Sequence, residues 1–271
     1  MNPVFEIVPE AIFFQQTNLI CEISPDGFSY FFENEVEKKI HGLSVFYFAK
    51  DADVSEQLKE IFNGQPLLGK RYKTVCVAYS GIESVLVPQE LYNPETNTEL
   101  LNTLYGDLQQ GALKTDLSTD KKIYNVYRMP VAVHQAITDQ FPQAKFYHYY
   151  SLLIKQGFAQ TDLLKIIFYQ DTFIVALVKN GELQIINTYF YYSGTDVAYH
   201  LLNICHQYNI TNVPTQIEGI IKMDSDLHKH INHYFPELSF TELPREYEFA
   251  KTLKELPPHY FSHLYSLALC V

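Results

Sequence analysis

Tryptophan is absent from this 271-residue chain, methionine occurs three times and cysteine four times. Cys21, Cys76, Cys205 and Cys270 stand far apart, and without a Cys-x-x-Cys pair neither a zinc cluster nor a redox dithiol has support. Each lies among apolar neighbours and reads as a buried free thiol of a reducing compartment. Positive charge is also short: 20 basic against 31 acidic residues leave a formal net charge of -11, which opposes the general attraction that nucleic-acid binding needs. No apolar run approaches the length of a bilayer span. The opening MNPVFEIVPEAIFF holds Glu6 and Glu10 and no basic residue, unlike a secretory signal. These absences predict a cytoplasmic protein with no nucleic-acid partner and no direct membrane insertion.

What is present is a hydrophobic share of 47% with 21 Tyr and 19 Phe, which suits a large strand-rich core. One pattern occurs twice. Alternating residues 19–24 and 28–33 flank Pro25-Asp26-Gly27 and predict a hairpin; a strand follows at 43–48, then a helix carrying Val54, Leu58, Ile61 and Phe62 behind a capping Asp53, then the compact strand TVCVAY at 74–79. Residues 163–169 and 173–178 form a second hairpin, Asn180-Gly181 turns into a strand at 183–192, a helix starts near Ser193 or Thr195, and IEGII at 217–221 closes the set. The order strand, strand, strand, helix, strand therefore repeats. The expected fold class is α/β with mixed sheets, built from duplicated ribonuclease H-like halves at 1–158 and 159–271, with a small subdomain inserted at about 84–130. Within that insert the polar stretch 111–122 reads as a mobile loop.

Segment 123–194 resembles the actin-like ATPase family, in particular its pilus-assembly and cell-division branch, and is also similar to an uncharacterised bacterial group of that fold. The text that carries the resemblance is YNVYRMPVAVHQAITDQFPQAKFYHYYSLLI followed by IIFYQDTFIVALVKNGELQIINTYFYYSG; the final YFSHLYSLALCV is similar to the closing helix of that branch. The resemblance implies a nucleotide cleft between the halves holding ATP with Mg²⁺. Its motifs are weakened here. The first phosphate turn, in which backbone N–H groups must reach phosphate oxygens beside a metal-orienting Asp, reads Ser24-Pro25-Asp26-Gly27, and Pro25 removes a donor. The second lacks Asp-x-Gly and offers Asp171-Thr172, a Gly-Gly pair survives only as Ser193-Gly194, and the adenosine turn reads Lys222-Met223-Asp224-Ser225.

The expectation is a pseudo-ATPase without cofactor or catalytic residues, acting as a binding or scaffold protein whose partner is another protein, with the stretch 111–122 available for contact. The alternative is an ATP-binding enzyme or switch using Asp26, Gly27, Asp171, Thr172, Gly194, Thr195 and Lys222. With Val271 directly after the closing helix, no built-in anchor is expected. His228, His230 and His233, or His259 and His263 on one helical face, have metal-like spacing without the Cys or Glu to complete a site, so they read as ordinary side chains and no metal is expected. Glu22 alone does not make a two-metal nuclease.

Overall fold

The computed structural model describes residues 1–9, 11–107, 111–158 and 161–270, the side chain of Cys270 excepted. Two compact units emerge. The first comprises residues 1–156 together with 246–253 and those from 267 on; the second comprises 157–245 and 254–266.

The first unit opens with β1 (Phe5–Ile7), β2 (Thr17–Ser24), β3 (Gly27–Asn34), β4 (Lys39–Tyr47), α1 (Val54–Gly64) and β5 (Thr74–Tyr79). It continues through β6 (Ser84–Pro88), α2 (Asn97–Tyr105), β7 (Gly111–Ser118), β8 (Ile123–Pro130), α3 (Val131–Gln140), β9 (Lys145–His148) and α4 (Tyr149–Gln156). The main sheet runs β1-β4-β3-β2-β5-β9, with β2, β5 and β9 parallel to one another. All eight residues of β2 are buried, as in a strand covered on both faces, and its buried polar members are hydrogen-bonded: Asn18 Nδ2 donates to Glu33 Oε2 at 2.6 Å and the Ser80 hydroxyl donates to Glu22 Oε1. Helix α1 starts where Asp53 accepts from the Glu56 N–H at 3.0 Å. Its Leu58, Ile61 and Phe62 enter a core with Cys21, Phe28, Tyr30 and Val77, alongside Val133 and Ile137 of α3. Each fully buried aliphatic side chain there contributes roughly 1.5–3 kcal/mol.

Strands β6, β8 and β7 form a separate three-stranded sheet in that order. The expected mobile loop at 111–122 is therefore corrected: 111–118 is an ordered strand paired along its length with β8. Its polar alternation misleads because the usual facing is inverted. Leu113 and Leu117 point to solvent, whereas Asp116 turns inward and accepts from the His148 N–H at 2.7 Å and the Tyr127 hydroxyl at 3.3 Å.

The second unit contains β10 (Leu163–Phe168), β11 (Thr172–Lys179), β12 (Glu182–Phe190), α5 (Gly194–Gln207), β13 (Thr215–Gly219), α6 (Asp226–Tyr234) and β14 (Leu238–Phe240). Its sheet order is β12-β11-β10-β13-β14. Asn180 and Gly181 both take positive φ, as the two-residue turn between β11 and β12 demands. Val197, Leu201, Ile204 and Cys205 of α5 pack with Ile231 of α6 over Leu164, Ile166 and Ile217. The order β12-β11-β10-β13 has the same form as β4-β3-β2-β5, each preceding helix lying between the third strand in sequence and the fourth.

The chain closes with β15 (Glu248–Phe249), which pairs parallel with β4 of the first unit, then α7 (Lys251–Lys254) and α8 (Ser262–Tyr265). His259 and His263 were expected on one helical face, but α8 begins only at Ser262, so they do not share a helical turn. Cys21, Cys76 and Cys205 are buried free thiols. Among the described residues no helix is long and apolar enough to cross a membrane.

Candidate functional site

The turn between β2 and β3 is where the first phosphate contacts would form. Pro25 has no N–H, and the two donors that follow are taken internally: Ser24 Oγ accepts from the Asp26 N–H at 3.3 Å and from the Gly27 N–H at 3.1 Å. The Asp26 carbonyl accepts from the Phe48 N–H at 2.9 Å. Gly27 is buried against the neighbouring strand, since a Cβ there would lie 2.0 Å from the Phe46 carbonyl oxygen. Close approach of β4 is thus sufficient reason for a glycine at this position.

Beside the turn is a pocket of about 300 Å³ whose walls include Ile23, Pro25, Val54, Tyr79, Ile82 and Val133. Its charged residues, Glu83 and Arg128, pair with each other. The buried Arg128 guanidinium also donates to Asn102 Oδ1 at 2.6 Å and to the Gly106 carbonyl at 2.5 Å. With its fork occupied on every side, this cation is a structural clamp and presents little free charge to an anion. An apolar hollow with neutralised charge suits an apolar group better than a triphosphate.

In the second unit, Asp171 and Thr172 lie in the β10–β11 turn, where the Tyr169 N–H donates to the Thr172 carbonyl at 2.9 Å and the Tyr191 N–H to the Asp171 carbonyl at 3.1 Å. Thr172 is fully buried. Gly194 and Thr195 open α5 behind a capping box: Ser193 Oγ accepts from the Asp196 N–H at 3.3 Å, and Asp196 Oδ2 accepts from the N–H groups of Tyr192 and Ser193, each at 2.9 Å. The Tyr192 N–H first, and then the Ser193 hydroxyl, which also donates to Asp196 Oδ2, hold the Asp196 carboxyl below its ordinary range. A fixed carboxylate thus covers the positive end of the helix and repels a second anion. Gly194 too is explained by packing, as a Cβ would meet His230 Cβ at 2.9 Å.

Lys222 stands exposed in the turn before α6, its carbonyl accepting from the Ser225 N–H at 3.1 Å and Ser225 Oγ at 2.7 Å, while Ser225 caps the helix. The structure therefore gathers Asp26 with Gly27, Asp171 with Thr172, and Gly194 with Thr195 into three separate turns, with Lys222 in a fourth. The side chains that saturate them, Ser24, Asp196 and Ser225, were not singled out from the sequence. Their signal was available, since Ser-x-x-Asp at 193–196 and Ser225 directly before Asp226 are capping patterns.

Two buried polar clusters were invisible to sequence patterning. In the second unit Lys165 of β10 pairs with the buried Glu218 of β13. The carboxyl is raised by burial and lowered by Lys165, His263 and Thr241, and the balance holds it below its ordinary range. Burial pushes His263 down to about 4. In the first unit His148 is wholly buried, contacts the Gly81 carbonyl through Nε2 at 3.0 Å, and is pushed down to about 3 by desolvation. The α6 histidines disperse: His228 stacks on Phe240, His230 Nδ1 contacts the Asp226 carbonyl, and His233 lies against Tyr234. Among the described residues no three His, Cys, Asp or Glu side chains are placed to hold a metal ion.

The fold is that of known proteins. A Bacteroides thetaiotaomicron protein with actin-like ATPase fold and unknown function superposes with a TM-score of 0.79 at 17% identity, over 96% of this chain and 100% of that one. A PilM–PilN type IV pilus biogenesis complex matches at 0.54 and 10% identity, over 93% and 98%. The cytoplasmic domain of EpsL, an inner membrane component of the type II secretion system of Vibrio cholerae, matches at 0.52 and 13% identity, over 94% and 95%. No curated protein matches the chain in sequence. Residues 11–238 match the family described as "Protein of unknown function (DUF3822)".

Proposed function

Because this chain belongs to the DUF3822 family of proteins of unknown function and has the actin-like ATPase fold, we propose that it is a non-catalytic binding or scaffold protein, a pseudo-ATPase that engages another protein. The observation that carries this reading is the internal saturation of the first phosphate turn, where Pro25 lacks a donor and Ser24 Oγ takes the next two. A phosphate would have to displace both hydrogen bonds, a cost of about 1 kcal/mol each before any contact is gained. Asp196 over the start of α5 and the apolar pocket beside Pro25 favour the same conclusion.

One structural neighbour is a complex of PilM with PilN, and another is the cytoplasmic domain of a secretion-system component. These support a protein as the partner class for this fold. Strand β7, an edge of the three-stranded sheet with Leu113 and Leu117 outward, is our candidate contact surface. The matching strand orders of the two units support an internal duplication, and buried free thiols support a cytoplasmic setting.

Calorimetric titration with ATP and with ADP, each with Mg²⁺, tests the proposal. The expected result is no heat at high micromolar nucleotide. Saturable binding that weakens in D26A or D171A would overturn it in favour of a nucleotide switch using Asp26, Gly27, Asp171, Thr172, Gly194, Thr195 and Lys222.

A further inference from the structure

The chain carries 11 more acidic than basic charges, yet four cations line one pocket of the first unit without a carboxylate among its walls: Lys70, Arg71, Lys73 and Lys145. The pocket has a volume of about 580 Å³, within the range that accepts small molecules. It arises from the sheet register. Strand β5 begins at Thr74, but its ladder with β9 begins only at Cys76 opposite Lys145, so Thr74 and Val75 have no β9 partner and the sheet is notched there. The preceding segment 70–73 and the α3–β9 connection 141–144 form the sides.

The notch is held open by bonds that do not use the cationic heads. The Lys73 N–H donates to the carbonyls of Phe14 and Thr17, the Tyr72 hydroxyl donates to the Leu67 carbonyl, and Gln140 Nε2 donates to the Leu68 carbonyl. Lys73 is ion-paired with Glu35. Lys70, Arg71 and Lys145 are exposed, and among the described residues none of them has an ion-pair partner. Glu35 reports the local field: the Lys73 hydrogen bond, with the charges of Lys73, Lys38 and Lys145, holds its carboxyl below the ordinary range.

The notch is also remote from the phosphate turn. It sits at the start of parallel strands β5 and β9, whereas the turn at Pro25-Asp26 follows the end of β2, which is parallel to them and pairs with β5 from Asn18–Thr74 to Ile23–Tyr79. Five strand steps separate the two ends, roughly 17 Å.

We propose that this notch is a binding site for a small molecule bearing a multiply charged phosphate group, with Arg71, Lys70 and Lys145 as its anion contacts. The Arg71 guanidinium offers the planar fork that pairs two phosphate oxygens at once, and the two lysines supply point charges from either side. Val75, Pro142 and Ala144 give the organic part an apolar wall. The site is independent of the pseudo-ATPase reading, because neither its residues nor its end of the sheet is shared with the hairpin turn.

The test is calorimetric titration of the full chain with inorganic pyrophosphate at 50 mM salt, roughly the regime in which screening is weak, with R71A/K145A as the variant; both side chains are exposed, and an unchanged melting temperature verifies its fold. A second arm sediments the protein with phosphatidylcholine vesicles containing phosphatidic acid, which separates a free phosphate ligand from a lipid headgroup. Saturable binding to either probe that weakens about tenfold or more in R71A/K145A and is unchanged in D26A supports the site. Absence of binding to both probes, or binding unaffected by R71A/K145A, overturns it. The same variants also apportion any heat from ATP: a loss confined to R71A/K145A assigns the heat to the notch, a loss confined to D26A to the turn.

Discussion

Replacing Gly27 by Ala separates the two reasons a glycine could stand in the first turn. A Cβ at this position would lie 2.0 Å from the Phe46 carbonyl oxygen, 3.1 Å from its carbon and 3.3 Å from Tyr47 Cα. All three atoms are backbone of β4, which is held between β3 and β1, so none can rotate aside as a side chain would. An unhindered Gly→Ala change gains about 0.4–1 kcal/mol by restricting the unfolded chain. Here relief requires moving β4 at a cost of about 1–3 kcal/mol, with weakening of about one strand hydrogen bond worth a further 1 kcal/mol. The net expectation is a loss of about 2–3 kcal/mol in urea unfolding followed by circular dichroism, together with tyrosine fluorescence because tryptophan is absent. Gly64→Ala, at a position with nothing within 4 Å of the added carbon, is the control and should gain up to about 1 kcal/mol. A G27A variant within about 0.5 kcal/mol of the parent would refute the reasoning, since the strand would then have room and the glycine would be serving something that approaches the turn from outside.

Lys165→Met should cost about 3–5 kcal/mol, because it strands the Glu218 charge in the core, whereas Lys165→Met with Glu218→Leu should be nearly neutral or stabilising; equal losses in both variants would contradict the assignment. Stability should also fall on acidification. Burial depresses His263 to about 4 and His148 to about 3, so each stays neutral in the folded chain while the unfolded chain takes up a proton near pH 6.5. Their contribution is complete above about pH 6.5 and is lost as pH falls toward those values, by up to about 1.4 kcal/mol per pH unit for each residue. Asp116, whose carboxyl burial raises, works in the opposite sense and trims the slope. Urea midpoints that stay flat from pH 7 to 5 would show that these histidines are not buried neutral.

The backbone plan was legible because its signals are local. Pro25-Asp26-Gly27, Asn180-Gly181 and the apolar spacing of α1 each determine their own segment, and the strand order follows from their succession. What escaped depends on residues distant in sequence. Asp116 sits in a polar octapeptide that looks unstructured until Tyr127 and the His148 N–H, 11 and 32 residues away, supply its donors. Lys165 and Glu218 look like surface charges until two parallel strands place them together. The departure from the motifs of the resembled family was readable from Pro25 and the missing glycines. The saturation of those turns was readable only in part, because Gly27 and Gly194 are explained by Phe46 and His230, which no local pattern connects to them.

The path of the chain sets an order of completion during synthesis. Strand β15 joins the first unit through the Glu248 N–H on the Lys38 carbonyl and the Ala250 N–H on the Ile40 carbonyl, and the Tyr247 hydroxyl reaches the Ala268 carbonyl. A ribosome has translated all of residues 157–245, the main body of the second unit, before it makes those strand residues. The unit begun first is therefore finished last, and a fragment ending near residue 158 would leave the edge of β4 at Ile40 without its final strand, a surface on which a growing chain is open to capture by chaperones.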